Sequence, residues 1–175
     1  MAAPYSPEIQ IHLKRLAIDE KTIEHAKAAW TVIRPHLPRL IDEFYRHLFA
    51  TGGSVYFRDV QLPKIKISQF TYWRSLFSGE FDAAYQAHAG RIGSKHRRAG
   101  IELSHYIAAY SWFSEHLFRL IARVPPPKPL RTHDVFVATN KIIYLDMIIA
   151  TKGAAASSAA NAEAGSDMAD TMMVD

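Results

Sequence analysis

The run Leu103-Ser104-His105-Tyr106-Ile107-Ala108-Ala109-Tyr110-Ser111-Trp112-Phe113, continued to Leu120-Ile121, decides the fold class. Leu103, Tyr106, Ile107, Tyr110, Phe113, Leu117, Leu120 and Ile121 recur at three- and four-residue spacing, which gives one helix a wide apolar face. That helix must stop before Pro125-Pro126-Pro127, because the residue ahead of a proline is pushed out of the helical region. A second long helix opens at Thr132 with Asp134 in its first turn, buries Val135, Ile142, Leu145 and Ile149, and is expected to end at Gly153. The two make an antiparallel hairpin with apolar surface on more than one side. A second helix pair to cover it is expected, giving a dimeric four-helix bundle.

Just ahead of this hairpin, Arg91-Ile92-Gly93-Ser94-Lys95-His96-Arg97-Arg98-Ala99-Gly100-Ile101 sets one histidine between glycines, read as two turns. Backbone on both sides can aim an imidazole at a metal. A surface histidine in a basic loop fits the same spacing, and the residues alone leave both readings open. Farther upstream the pattern stays helical, with no alternation of period two. A short amphipathic piece spans Ile9 to Leu16. Asp19 caps the next helix, whose stripe is Ile23, Ala26, Trp30, Ile33 and Leu37, and a bend is expected at Pro35 and Pro38. Leu37, Ile41, Phe44 and Leu48 form another stripe, stopped by Gly52-Gly53. Phe44-Tyr45 lies within it and offers a phenol. Pro63 opens a helix that ends at Gly79 and puts Ile65, Ser68, Tyr72 and Leu76 on one face.

The bulk numbers narrow the chemistry. A chain of 175 residues suits one domain with a tail, and 49% hydrophobic with 22% charged residues is ordinary for a globular protein. Without cysteine there is no disulfide, thiolate haem ligand or thiolate zinc site. A net charge of +4 is too mild to argue for nucleic acid, and suits an anionic ligand. The opening Met1-Ala2-Ala3-Pro4-Tyr5 lacks the basic segment and apolar core of a secretion signal, and no apolar run reaches bilayer length. No membrane association and a cytoplasmic location are expected. His88 and His96 lie eight apart with no acidic partner at ligand spacing, so the two-histidine zinc hydrolase motif is absent. No phosphate loop, serine elbow or carboxylate pair is present, and no enzymatic activity is expected.

Three ordered blocks carry a resemblance to a known family: Asp42-Glu43-Phe44-Tyr45-Arg46-His47-Leu48, then Tyr72-Trp73-Arg74-Ser75-Leu76-Phe77-Ser78-Gly79-Glu80-Phe81-Asp82, then Ile92-Gly93 through His96 to Gly100-Ile101 and Tyr106-Ile107-Ala108-Ala109-Tyr110. The chain resembles the haem-binding globin domain of the globin-coupled sensors, a bacterial family related to protoglobins. The likeness spans roughly residues 10 to 152, with departures at Ala99 and at Glu102-Leu103-Ser104-His105. It implies an all-α globin fold with an extra N-terminal helix: residues 1–18 as the extension, 19–152 as the sensor globin domain and 153–175 as a disordered or linker-like tail.

The same resemblance implies haem b as cofactor and His96 as the proximal, metal-binding ligand. Iron takes a neutral imidazole nitrogen while the other ring nitrogen donates elsewhere. Tyr45 is implied as the distal hydrogen-bond donor to O2, whose partial negative charge a phenol stabilises, with CO and NO as further ligands. Ile65 and Ser68 are implied on the distal helix, and Phe44 and Tyr72 at the cofactor. The implied function is a gas sensor that binds O2 at ferrous iron and relays ligation through a homodimer interface to a signalling domain or partner. Two other readings remain: a stand-alone haem globin with redox, nitric oxide or peroxidase-like chemistry, and a cofactor-free helical interaction module.

Overall fold

A computed structural model describes the backbone of residues 5–57 and 61–171, and the side chains among these up to Gly153 and at Ala155. Seven α-helices and no strand occur among the described residues: α1 (Pro7–Arg15), α2 (Glu20–Ile33), α3 (Leu37–Ala50), α4 (Leu62–Ser78), α5 (Ala83–Arg98), α6 (Leu103–Arg123) and α7 (Thr132–Thr171), with a 3-10 turn at Gly53–Phe57. The helix starts follow capping chemistry. Ser6 caps α1 ahead of Pro7, the Asp19 carboxylate accepts from the Thr22 amide at 2.7 Å, and Asp82 accepts from the Tyr85 amide at 2.8 Å. Pro35 and Pro38 fall at the break between α2 and α3, where the bend was expected. Gly79 ends α4 in the left-handed region (φ 72°), and a β-carbon there would lie 2.4 Å from the Ile23 side chain.

The first part of α7 is the centre of the molecule. It packs against α2, α5 and α6 and touches α4, burying Val135, Ile142, Ile143, Leu145 and Ile149. Around it, α4 leans on α2 and α3, while α5 lies along α7. The helices that carry Ile65 and His96 therefore share α7, but α4 rests mainly on α2 and α3 and α5 on α7.

Two sequence expectations are corrected. Gly153 does not end the last helix, which runs on to Thr171. The alanines from Ala154 to Ala160 favour helix strongly enough to carry a single glycine that costs about 1 kcal/mol. Gly153 answers a packing demand instead: a β-carbon would sit 2.3 Å from the Gly90 carbonyl oxygen. Residues 172–175 of the expected tail lie outside the described residues. Gly93 is likewise no turn. It lies inside α5, where a β-carbon would come within 1.8 Å of the Ala150 carbonyl oxygen.

Candidate functional site

His96 sits in the last turn of α5, half-buried, rather than in a basic loop. Its Nδ1 lies 2.9 Å from the Ile92 carbonyl oxygen one turn back. A neutral ring donating from Nδ1 leaves Nε2 with a lone pair, and no residue among those described hydrogen-bonds to Nε2. Burial pushes the imidazole below its ordinary value, partly opposed by the bond to Ile92, so the neutral form dominates at pH 7. That is the form a metal needs. Lys95, Arg97 and Arg98 around it are exposed and meet the negative end of the helix.

One face of His96 meets Tyr106 of α6, edge to ring at 5.2 Å between centroids. From there the aromatic rings continue without a break. Tyr106 packs on Tyr110 (5.0 Å), Tyr110 on Trp73 (6.5 Å), Trp73 on Phe113 (5.1 Å), Phe113 on Phe44 (4.6 Å) and Phe44 on Tyr45 (5.2 Å). This row joins His96 to Tyr45 through α6, α4 and α3, which are remote in sequence. Leu103 and Ile107, on the same side of α6 as Tyr106, are 55% and 46% exposed, so apolar surface beside His96 is uncovered by the chain itself.

Tyr45 is buried at 5% exposure and held by Phe44, Phe49 and Phe57, with Lys66 Nζ 5.8 Å from its ring centroid. Lys66 is itself fixed by Asp42 at 2.7 Å. The Tyr45 hydroxyl makes no hydrogen bond to another described residue, and it is not one of the fully buried atoms left without a partner, so solvent or a ligand can reach it. Desolvation pushes its pKa up to about 12, so it stays a proton donor at physiological pH. Ile65 is half-buried and Ser68 exposed, with no bond from Ser68 back to its own helix. Phe44 takes its place in the aromatic row. Tyr72 does not join it: its hydroxyl donates to Asp146, and its ring stacks on Tyr85 at 6.2 Å.

Two residues escaped the sequence reading. Asp146 hides as a lone acid in the apolar stripe of α7, which was the available signal. Gln69, one turn from Ile65 on α4, has a buried Oε1 without a partner. No cluster of three or more His, Cys, Asp or Glu that could hold a metal by itself occurs among the described residues. His96 stands as a lone imidazole, which suits an ion already ringed by a macrocycle. A neutral nitrogen, an aromatic wall, flanking cations and an unpartnered phenol together fit haem.

A helical fold built this way, with one free imidazole at the end of α5 facing aromatic rings, is of the globin type. It is similar to the globin domain of the Geobacter sulfurreducens globin-coupled sensor, with a TM-score of 0.73 at 21% identity over 82% of this chain and 95% of that one. The protoglobin family pattern matches residues 6–156, and the chain belongs to that family. A comparison with curated proteins found no match. Membership implies haem-based gas binding. No described helix is long and apolar enough to cross a membrane.

Proposed function

We propose that the protein is a haem-based gas sensor that binds O2 reversibly, with His96 as proximal ligand and Tyr45 as distal donor. The observation that carries this reading is the pair of groups at the two ends of one aromatic row that bond to no other described residue and stay open to a ligand: the His96 Nε2 lone pair and the Tyr45 hydroxyl. Bound haem b would supply ferrous iron able to coordinate a diatomic gas. His96 would hold the iron while Ile92 fixes its ring, and Lys95, Arg97 and Arg98 would favour the propionates. Tyr45, kept protonated by burial, would donate to a ligand that carries partial negative charge, favouring O2 over CO. Ile65 and Ser68 would bound the distal side, and Phe44 the wall. Tyr72 would act only through packing, since its proton is committed to Asp146.

The half-buried Ile65 favours reversible binding over peroxidatic chemistry, which uses a more polar distal side. The relay would run through a homodimer made by α6 and α7. Val124 just after α6, and Val137 and Tyr144 on α7, are 41%, 40% and 50% exposed, which supports that surface. Where α7 leads beyond Ala150, a signalling domain or partner would receive the change. The test of the oxygen reading is Tyr45→Phe. Losing one hydrogen bond of about 1–3 kcal/mol should speed O2 dissociation roughly 5- to 150-fold, with CO dissociation changed much less. Equal effects on the two gases, or none, would remove Tyr45 from the site.

A further inference from the structure

The buried face of α7 carries one acid. Asp146 has no exposed surface, and no Lys or Arg pairs with it among the described residues. Its carboxyl is solvated by phenols from three other helices. Tyr72 of α4 and Tyr85 of α5 donate to Oδ1, the latter at 2.5 Å, and Tyr110 of α6 donates to Oδ2. A buried carboxyl is costly unless hydrogen-bonded, and three O–H donors on two oxygens are the donor set of an ionised carboxylate. Burial raises the Asp146 pKa and the phenols partly reverse that. Burial also raises the phenols themselves, so they remain donors.

The cluster has unequal branches. Among the described residues the Tyr85 ring meets Phe81 and Tyr72, and Tyr72 meets His88, away from His96. Tyr110 leads on: its hydroxyl lies 3.1 Å from that of Tyr106, whose ring meets His96. Because Tyr110 gives its single proton to Asp146, Tyr106 must be the donor in the Tyr106–Tyr110 bond. The direction of every bond from α7 to the ring beside His96 is thereby set.

We propose that Asp146 is a positioning residue for His96, acting through Tyr110 and Tyr106. The Ile92 carbonyl fixes one edge of the imidazole, and the phenol chain fixes the ring that abuts it. Rotation of His96 about its Cβ–Cγ bond is therefore restrained from α5 and, through α6, from α7. The inference rests on the proposed role of His96 in one of its two readouts only.

The experiment compares Asp146→Asn, Tyr110→Phe and Tyr85→Phe in the full chain. In haem-loaded ferrous protein the readout is the iron–histidine stretching band in resonance Raman. In protein without haem it is the His96 ring nitrogen shifts in a long-range proton–nitrogen correlation. Asp146→Asn and Tyr110→Phe should move both signals. Tyr85→Phe removes a donor from the same carboxylate, so its melting temperature should drop similarly while both His96 signals stay in place. Unmoved signals in Tyr110→Phe, or an equal displacement in Tyr85→Phe, would overturn the proposal. Should Asp146→Asn fail to fold, Tyr110→Phe keeps the carboxylate and two phenols and decides alone. Absence of any iron–histidine band in the parent protein would sink the haem reading, while the nitrogen shifts would still judge Asp146.

Discussion

The two sides of the candidate site are built from different forces. Around His96 the restraints are polar and backbone-derived: Nδ1 meets the Ile92 carbonyl, Ser94 Oγ donates to the Gly153 carbonyl at 2.9 Å, and Gly93 lets α5 lie directly on Ala150 of α7. Around Tyr45 the contacts are ring on ring with Lys66 Nζ over one face, and the hydroxyl bonds to no other described residue. Hydrogen bonds and backbone contacts specify a position within tenths of an ångström. Aromatic packing, about 0.5–1.5 kcal/mol per pair beyond burial, tolerates small displacements. The α5 side is therefore a fixed mount, while the α3 side, where Tyr45 is the proposed donor, is more adjustable.

Gly93→Ala should break the mount, and it carries the largest expected effect on stability. In an ordinary helix this change gains about 1 kcal/mol. Here the new β-carbon meets a carbonyl oxygen of α7, and displacement of α5 should cost about 3 kcal/mol net, at the upper end of overpacking. Gly90→Ala is the control, since its β-carbon would lie an ordinary 3.8 Å from Gly153, and thermal unfolding should show it neutral or stabilised. Equal melting points for the two variants would contradict the backbone contact.

A smaller effect is expected from high pH. Burial raises the pKa of Tyr45, Tyr72, Tyr85, Tyr106 and Tyr110, five of the chain's eight tyrosines, above the usual 10.0. Raised folded values mean that the stability from these phenols is complete below pH 10 and lost as pH climbs through the folded values. Ultraviolet titration of phenolate should therefore leave these five un-ionised at pH 11 until the fold gives way, at which point they ionise together. Smooth ionisation of all eight near pH 10 with the fold intact would refute the buried cluster.

Most helices were legible in the sequence because stripes at three- and four-residue spacing and capping residues such as Asp19 act locally. His96 and Tyr45 were reached only through the family resemblance, since spacing alone left His96 ambiguous. What stayed hidden is long-range. Gly93 and Gly153 read as turn and stop because glycine serves both turns and close helix crossings, and only the facing backbone distinguishes them. Asp146 with Tyr72, Tyr85 and Tyr110 draws on four helices, and no local pattern announces that one carboxyl gathers three phenols. The exposed Ser68 shows the reverse: its place on the α4 face was readable, but its surroundings were not.

His96 is proposed to present its Nε2, which bonds to no other described residue, to haem iron. Adding haem to the purified chain and recording the ferrous absorption spectrum, beside the His96→Ala variant, tests it most directly. A five-coordinate Soret band is expected in the parent protein, and its loss or conversion in His96→Ala, with imidazole added to solution restoring it. An unchanged five-coordinate ferrous spectrum in His96→Ala would rule out His96 as the iron ligand.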